Sequence, residues 1–175
     1  MLSSNEKYNK FVNDFSNILY NLKTEAPYSD YLFLCVGSDK IIGDCYGPLV
    51  GQKLKEGFKN TYQNIQVYGA LDEPISAINL ENIVNKIYKN YSNPCIIAID
   101  SALGAQDNIG KILVSDKKIQ CGKGTNKKLI PIGDISIKGI IAKDYKIPKY
   151  NFQALQNTRV RWSNQFSQYY IFRNL

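Results

Sequence analysis

The chain has 175 residues, 44% hydrophobic and 21% charged, enough for one well-cored domain, too short for two ordinary ones, and unlike a disordered segment. It contains no histidine, which excludes Ser-His-Asp and Cys-His nucleophilic mechanisms, histidine-ligated metals and the usual near-neutral proton shuttle. A net charge of +7 favours acidic partners, but the lysines are scattered with no block of five basic residues, so nucleic acid is not an expected partner.

The first segment, residues 4–22, carries Tyr8, Phe11, Val12, Phe15, Ile18, Leu19 and Leu22 at three- and four-residue spacing, which predicts an amphipathic helix. This N-terminal helical region, residues 1–23, ends before Pro27 and the Ser29-Asp30 turn. Residues 31–36, Tyr-Leu-Phe-Leu-Cys-Val, read as a buried strand stopped by Gly37. A glycine-containing loop holding Asp39 and Asp44 follows, and Gly47-Pro48 opens a helix over 49–58. Residues 65–68 read as a short second strand stopped by Gly69, and 75–91 as a helix with Ile78, Leu80, Ile83, Val84, Ile87 and Tyr88 on its apolar side. Asn93-Pro94 breaks that helix before a third strand, 95–100, which closes on Asp100.

Strands alternating with helices over 31–100 predict βαβ units and a mostly parallel sheet covered on both faces. The last third changes character. Residues 109–114 and 134–142 read as strands, the second alternating Ile135, Ile137 and Gly139 against Ser136 and Lys138. Between them lies a basic loop containing Cys121, Gly122, Lys123 and Gly124, and a closing helix over 151–172 is predicted to cover the second face. The expectation is therefore a single three-layer αβα domain over 1–175, with a mostly parallel mixed sheet. No run approaches the length needed to cross a bilayer, and the N-terminus lacks a charged head followed by an apolar stretch, which predicts a soluble cytoplasmic protein with no membrane partner. The cysteines Cys35, Cys45, Cys95 and Cys121 show no C-x-x-C spacing, so reduced thiols are expected rather than a zinc site or a disulfide framework.

Two carboxylates stand out. If the runs before Asp44 and Asp100 are parallel strands of one sheet, both side chains fall at its carboxyl edge, where open α/β sheets place their ligands. Each residue also admits a plainer reading, Asp44 as a helix cap and Asp100 as a strand-end acceptor of turn amides. Together they would repel unless they share a proton or bind a cation. A shared proton leaves one carboxylate to activate water and the other to donate, a route to hydrolysis without histidine. Asp72 and Glu73 fall in the turn after the second strand and could join this edge or simply precede the next helix. The glycines Gly37, Gly43 and Gly47 lack the spacing of a phosphate loop, and fit close backbone approach to a substrate or left-handed turns. Gly122 and Gly124 could form a substrate flap or a solvated loop. Cys45 has no neighbouring base to make it a nucleophile.

Several segments in order resemble one family: Val36-Gly37-Ser38-Asp39 through Gly43-Asp44-Cys45-Tyr46-Gly47-Pro48-Leu49-Val50-Gly51, Val67-Tyr68-Gly69-Ala70-Leu71-Asp72-Glu73-Pro74, Ile99-Asp100-Ser101-Ala102-Leu103-Gly104, Gly133-Asp134-Ile135 and Leu155-Gln156-Asn157-Thr158-Arg159. They resemble the YyaC-type sporulation proteins of spore-forming bacteria, over nearly the whole chain from Tyr31 onward. That family is similar to the spore germination protease and, more distantly, to the hydrogenase maturation proteases, which implies a phosphorylase/hydrolase-like α/β fold. The germination protease has an aspartate before a small-apolar-Gly-Pro turn, matched by Asp44, and another closing a strand, matched by Asp100, both proposed as catalytic there. The resemblance thus implies an endopeptidase associated with sporulation, acting in the cytoplasm of a sporulating cell or in the spore, with Asp44 and Asp100 as the catalytic aspartate dyad. Substrate contacts are expected at Gly43, Gly47, Asp72, Ser101, Gly122 and Gly124. No cofactor is expected; the partner is a protein or peptide substrate, with small acid-soluble spore proteins as candidates. Two alternatives stay open: a non-enzymatic sporulation protein binding a peptide or protein at the same edge, and a metal-dependent hydrolase with Asp44 and Asp100 as ligands.

Overall fold

The structure is a computed structural model that describes residues 4–25, 27–58, 62–121, 130–146 and 153. Helix α1 (Ser4–Glu25) is followed by strand β1 (Asp30–Cys35), a short 3-10 turn (Ile42–Cys45), helix α2 (Tyr46–Phe58) and strand β2 (Ile65–Tyr68). Then come helix α3 (Leu80–Asn90), strand β3 (Pro94–Gly104), a 3-10 turn (Gln106–Asn108) and strands β4 (Ile112–Ser115) and β5 (Ile135–Lys143). The five strands form one sheet in the order β2-β1-β3-β5-β4. Pairings β1/β2, β1/β3 and β3/β5 are parallel, while β4 adds antiparallel to β5 at the edge. The α/β class and the mostly parallel mixed sheet are those the alternation of elements predicts.

Residue alternation along the strands divides the core in two. Phe33, Cys35, Ile97, Ile99, Ile135 and Ile137 pack with Phe15 of α1 and with Val50 and Leu54 of α2. On the opposite face Leu32, Leu34, Ile96 and Ala98 pack with Leu80 and Ile87 of α3, and with Ile119, Cys121 and Ile132 from the segments flanking the basic loop. β3 is apolar and buried on both faces from Pro94 to Ile99, the mark of a central parallel strand.

Several element bounds differ from the sequence reading, β4 for instance starting at Ile112 rather than at residue 109, and three of the differences have a local reason. α3 begins at Leu80, five residues later than predicted. Ile75 instead pairs with Val36 as an isolated parallel bridge, and the Asn79 side chain ties the turn by accepting the Ser76 N–H at 2.8 Å and donating to the Pro74 carbonyl at 3.1 Å. Ile78 and Tyr88, placed by periodicity on the apolar side, are 84% and 58% exposed. α2 starts earlier, at Tyr46, with Pro48 in its first turn, where a missing N–H costs no intrahelical bond. β3 does not close on Asp100: it runs four residues further, to Gly104, because β5 continues to pair with it after β1 has ended. The closing helix predicted over 151–172 lies outside the described residues except for Gln153, which is helical.

Candidate active site

The strand order makes the boundary between β1 and β3 a topological switch point. From β1 the chain crosses through α2 to β2 on one side; from β2 it crosses back through α3 to β3 on the other. The two helices lie on opposite faces, so the chain departs in opposite senses above the carboxyl ends of β1 and β3 and leaves a crevice there. Asp44 lies in the segment leaving β1. Asp100 is the first residue of β3 beyond its last pair with β1, Cys35 with Ile99.

Main-chain bonds fix the segment that carries Asp44. Val36 N–H donates to the Ile99 carbonyl and Gly37 N–H to the Ile75 carbonyl, both at 2.7 Å. Ser38 N–H then reaches the Asp44 carbonyl at 3.1 Å, while Asp44 N–H donates back to Ile41 at 2.8 Å. Two glycines make this fold possible. A Cβ on Gly37 would overlap the Asp44 carbonyl, and one on Gly47 would overlap the Val36 carbonyl, where the start of α2 sits on the end of β1. Gly43 is buried within the 3-10 turn. These positions therefore bring Asp44 close over the sheet edge, a backbone requirement that accounts for Gly37 and Gly47 without any substrate.

Asp100 is buried, at 9% exposure. Burial pushes its pKa up, the charge of Asp44 pushes it further, and the result is about 8, against the opposing effects of the Ser101 N–H, a hydrogen bond with the Cys121 thiol and the Lys138 ammonium. Asp44 is also raised, by burial, with the Ser38 amide opposing. The two carboxylates thus lie within electrostatic reach of each other. At neutral pH burial and the Asp44 charge favour the protonated form of Asp100, so the two carboxyls differ in their hold on a proton. Such a pair has one group ready to accept a proton and one ready to give it.

The other nominated residues divide clearly. Ser101 adjoins Asp100 and acts on it through its main-chain N–H. Asp72 is exposed and forms an ion pair with Lys55 at 3.1 Å, which holds its carboxyl below the usual range, so it is tied to α2 rather than to the pair. Asp39 and Glu73 are exposed. Cys45 donates its thiol to the Ser38 carbonyl at 3.2 Å, and burial with the nearby Asp44 and Asp39 charges pushes its pKa up, the reverse of an activated nucleophile. Asp134 sits at the amino end of β5, where its carboxylate accepts the Ile96 N–H at 2.8 Å, at the opposite edge from Asp100. Gly122 and Gly124 lie outside the described residues.

Among the described residues no group of three or more Cys, Asp or Glu side chains is placed to hold a metal ion. Asp44 and Asp100 by themselves supply only part of the six or more oxygens a hard cation takes, and water or substrate would have to supply the rest. The cysteines are all free thiols. Two neighbours of Asp100 escape a sequence reading. Cys121 stands alone in a basic loop, in no ligand spacing. Lys138 shows one weak signal, a charge in the middle of a largely apolar strand, and gains meaning only from the register of β5 on β3.

Residues 3–171 match a family model described as a protein of unknown function, DUF1256. The uncharacterized protein YyaC of Bacillus subtilis (strain 168) is 32% identical over 168 residues, covering 91% of this chain and 79% of that protein. Among solved structures, the [NiFe] hydrogenase maturation protease HycI from Thermococcus kodakarensis KOD1 aligns with a TM-score of 0.45 at 15% identity, over 82% of this chain and 93% of that one.

Proposed function

The chain belongs to the DUF1256 family, and with that membership and the placement of a half-buried Asp44 beside a buried Asp100 as premises we propose that it is a peptidase in which Asp44 and Asp100 activate water against a peptide bond. The observation that carries this reading is the placement of Asp44 and Asp100 at the carboxyl ends of the adjacent parallel strands β1 and β3, where burial and the Asp44 charge push Asp100 up. Asp44, ionised, takes the proton of a water molecule positioned between the carboxyls. Asp100, protonated at neutral pH, donates to the leaving amide nitrogen. In the absence of histidine, these two groups divide the base and acid roles. That the bond is a peptide, and that the setting is sporulation in the cytoplasm or the spore, rests on the motif resemblance to the germination protease. The net charge of +7 favours encounter with an acidic substrate, because opposite charge speeds association, while small acid-soluble spore proteins are candidates by the same resemblance.

The test is cleavage of such proteins and of a mixed peptide library by the purified chain between pH 5 and 9. Asp44→Asn and Asp100→Asn should each lower kcat by about 10²–10⁴-fold while circular dichroism stays that of the parent. Undiminished cleavage by both variants would sink the proposal. Tight binding of the same peptides without any cleavage would replace it with a docking role for this edge.

A further inference from the structure

Asp100 is the register partner of Lys138 across the parallel pairing of β3 and β5. Partners in adjacent strands project to the same face, with the strands about 4.8 Å apart. The core confirms which face. Ile97, Ile99, Ile135 and Ile137 are buried beneath α1 and α2, so the intervening residues Asp100 and Lys138 point to the other side, with Ile96, Ala98 and Cys121. Lys138 is half-buried. Among the described residues its ammonium forms no ion pair, although its positive charge acts on both Asp100 and Cys121. The cation therefore stands on the Asp100 side of the crevice, at the end of a long flexible stem. Partial burial strips part of its hydration, which favours an electron-rich atom brought in by a ligand.

Resting on the peptidase reading, we propose that Lys138 is a third catalytic residue of this site, its ammonium holding the oxygen of the scissile carbonyl beside the Asp44 and Asp100 carboxyls. As the water oxygen bonds to the carbonyl carbon, its proton passes to Asp44 and the carbonyl π electrons move to the oxygen held by Lys138. When the carbonyl re-forms, the C–N bond breaks and the nitrogen takes the Asp100 proton. The products are a carboxylic acid and an amine; the proton on Asp44 then returns to Asp100. Water is the only co-reactant, and no group is oxidised or reduced. A fixed cation is most effective where charge appears only in the transition state. The charged and titratable groups around Asp100 are Asp44 from the segment after β1, Cys121 from the segment before the basic loop and Lys138 from β5.

The experiment compares the full-length chain with Lys138→Met, Lys138→Arg, Asp44→Asn and Asp100→Asn, on a peptide that the parent cleaves. Lys138→Met should lower kcat by about 10²–10³-fold with KM little changed, and Lys138→Arg should recover part of the loss. An unchanged kcat in Lys138→Met, with both aspartate variants inactive, overturns the lysine role and leaves the peptidase reading standing. Full activity in both aspartate variants overturns that reading instead. A second measurement needs no turnover: carbon-detected NMR of the Asp100 carboxyl should show its titration midpoint rise by about one pH unit in Lys138→Met. An unmoved midpoint places the ammonium away from the crevice and overturns the inference whatever the substrate.

Discussion

A carboxyl group with the pKa of Asp100, about 8 in the fold, binds its proton more tightly in the folded chain than in the unfolded one, where its environment is ordinary. Between about pH 4 and pH 8 the native state therefore carries the extra proton, and stability falls as pH rises through that window. Urea unfolding at pH 5 and pH 8.5 should show the parent losing on the order of a few kcal/mol. Asp100→Asn, uncharged at both values, should lose much less; equal losses would show that the buried carboxyl is not the cause. The two aspartates are legible in the sequence because glycine and apolar runs surround them. Cys121 and Lys138 are not, since a thiol or an ammonium becomes significant only through what another segment places beside it. Asp72 shows the converse: proximity in the motif suggested a site residue, yet an exposed salt bridge to Lys55 occupies its carboxylate.

Helix α3 separates periodicity from packing at the scale of an element. A three- and four-residue apolar rhythm runs from Ile75 to Tyr91, but the Asn79 side-chain bonds and the pairing of Ile75 with Val36 draw its first five residues into a turn at the sheet edge. Ile87 is 1% exposed while Ile78 is 84% exposed, so the same substitution should act differently at the two sites. Ile87→Ala should cost about 2–5 kcal/mol by opening a cavity beneath α3. Ile78→Ala should stay within about 0.5 kcal/mol of the parent, as measured by chemical denaturation; comparable losses would mean that the turn is helical and packed. β3 makes the same point for strands. Its apolar run ends at Ile99, which in the sequence resembles a strand terminus, yet the ladder to β5 carries it on to Gly104.

For the whole molecule the decisive feature is the position of β5. A strand late in the chain lies between β3 and the edge strand β4, and its placement makes β1, β3 and β5 the interior of the sheet. Amide hydrogen exchange should be slowest in those three strands and faster in β2 and β4, because edge amides open with less loss of packing; uniform protection across the sheet would contradict this order. Among the described residues no helix is long and apolar enough to cross a membrane. The sequence by itself determined the α/β alternation, the parallel core, the absence of imidazole chemistry and the placement of two aspartates after apolar runs, since these follow from local periodicity and residue type. Only the tertiary structure decided that β1 and β3 are neighbours at a switch point, that Asp100 is buried within reach of the Asp44 charge, and that Lys138 stands in register beside it. Those facts depend on strand order and register, which are set by the burial of two faces at once and leave no periodic trace in any single segment.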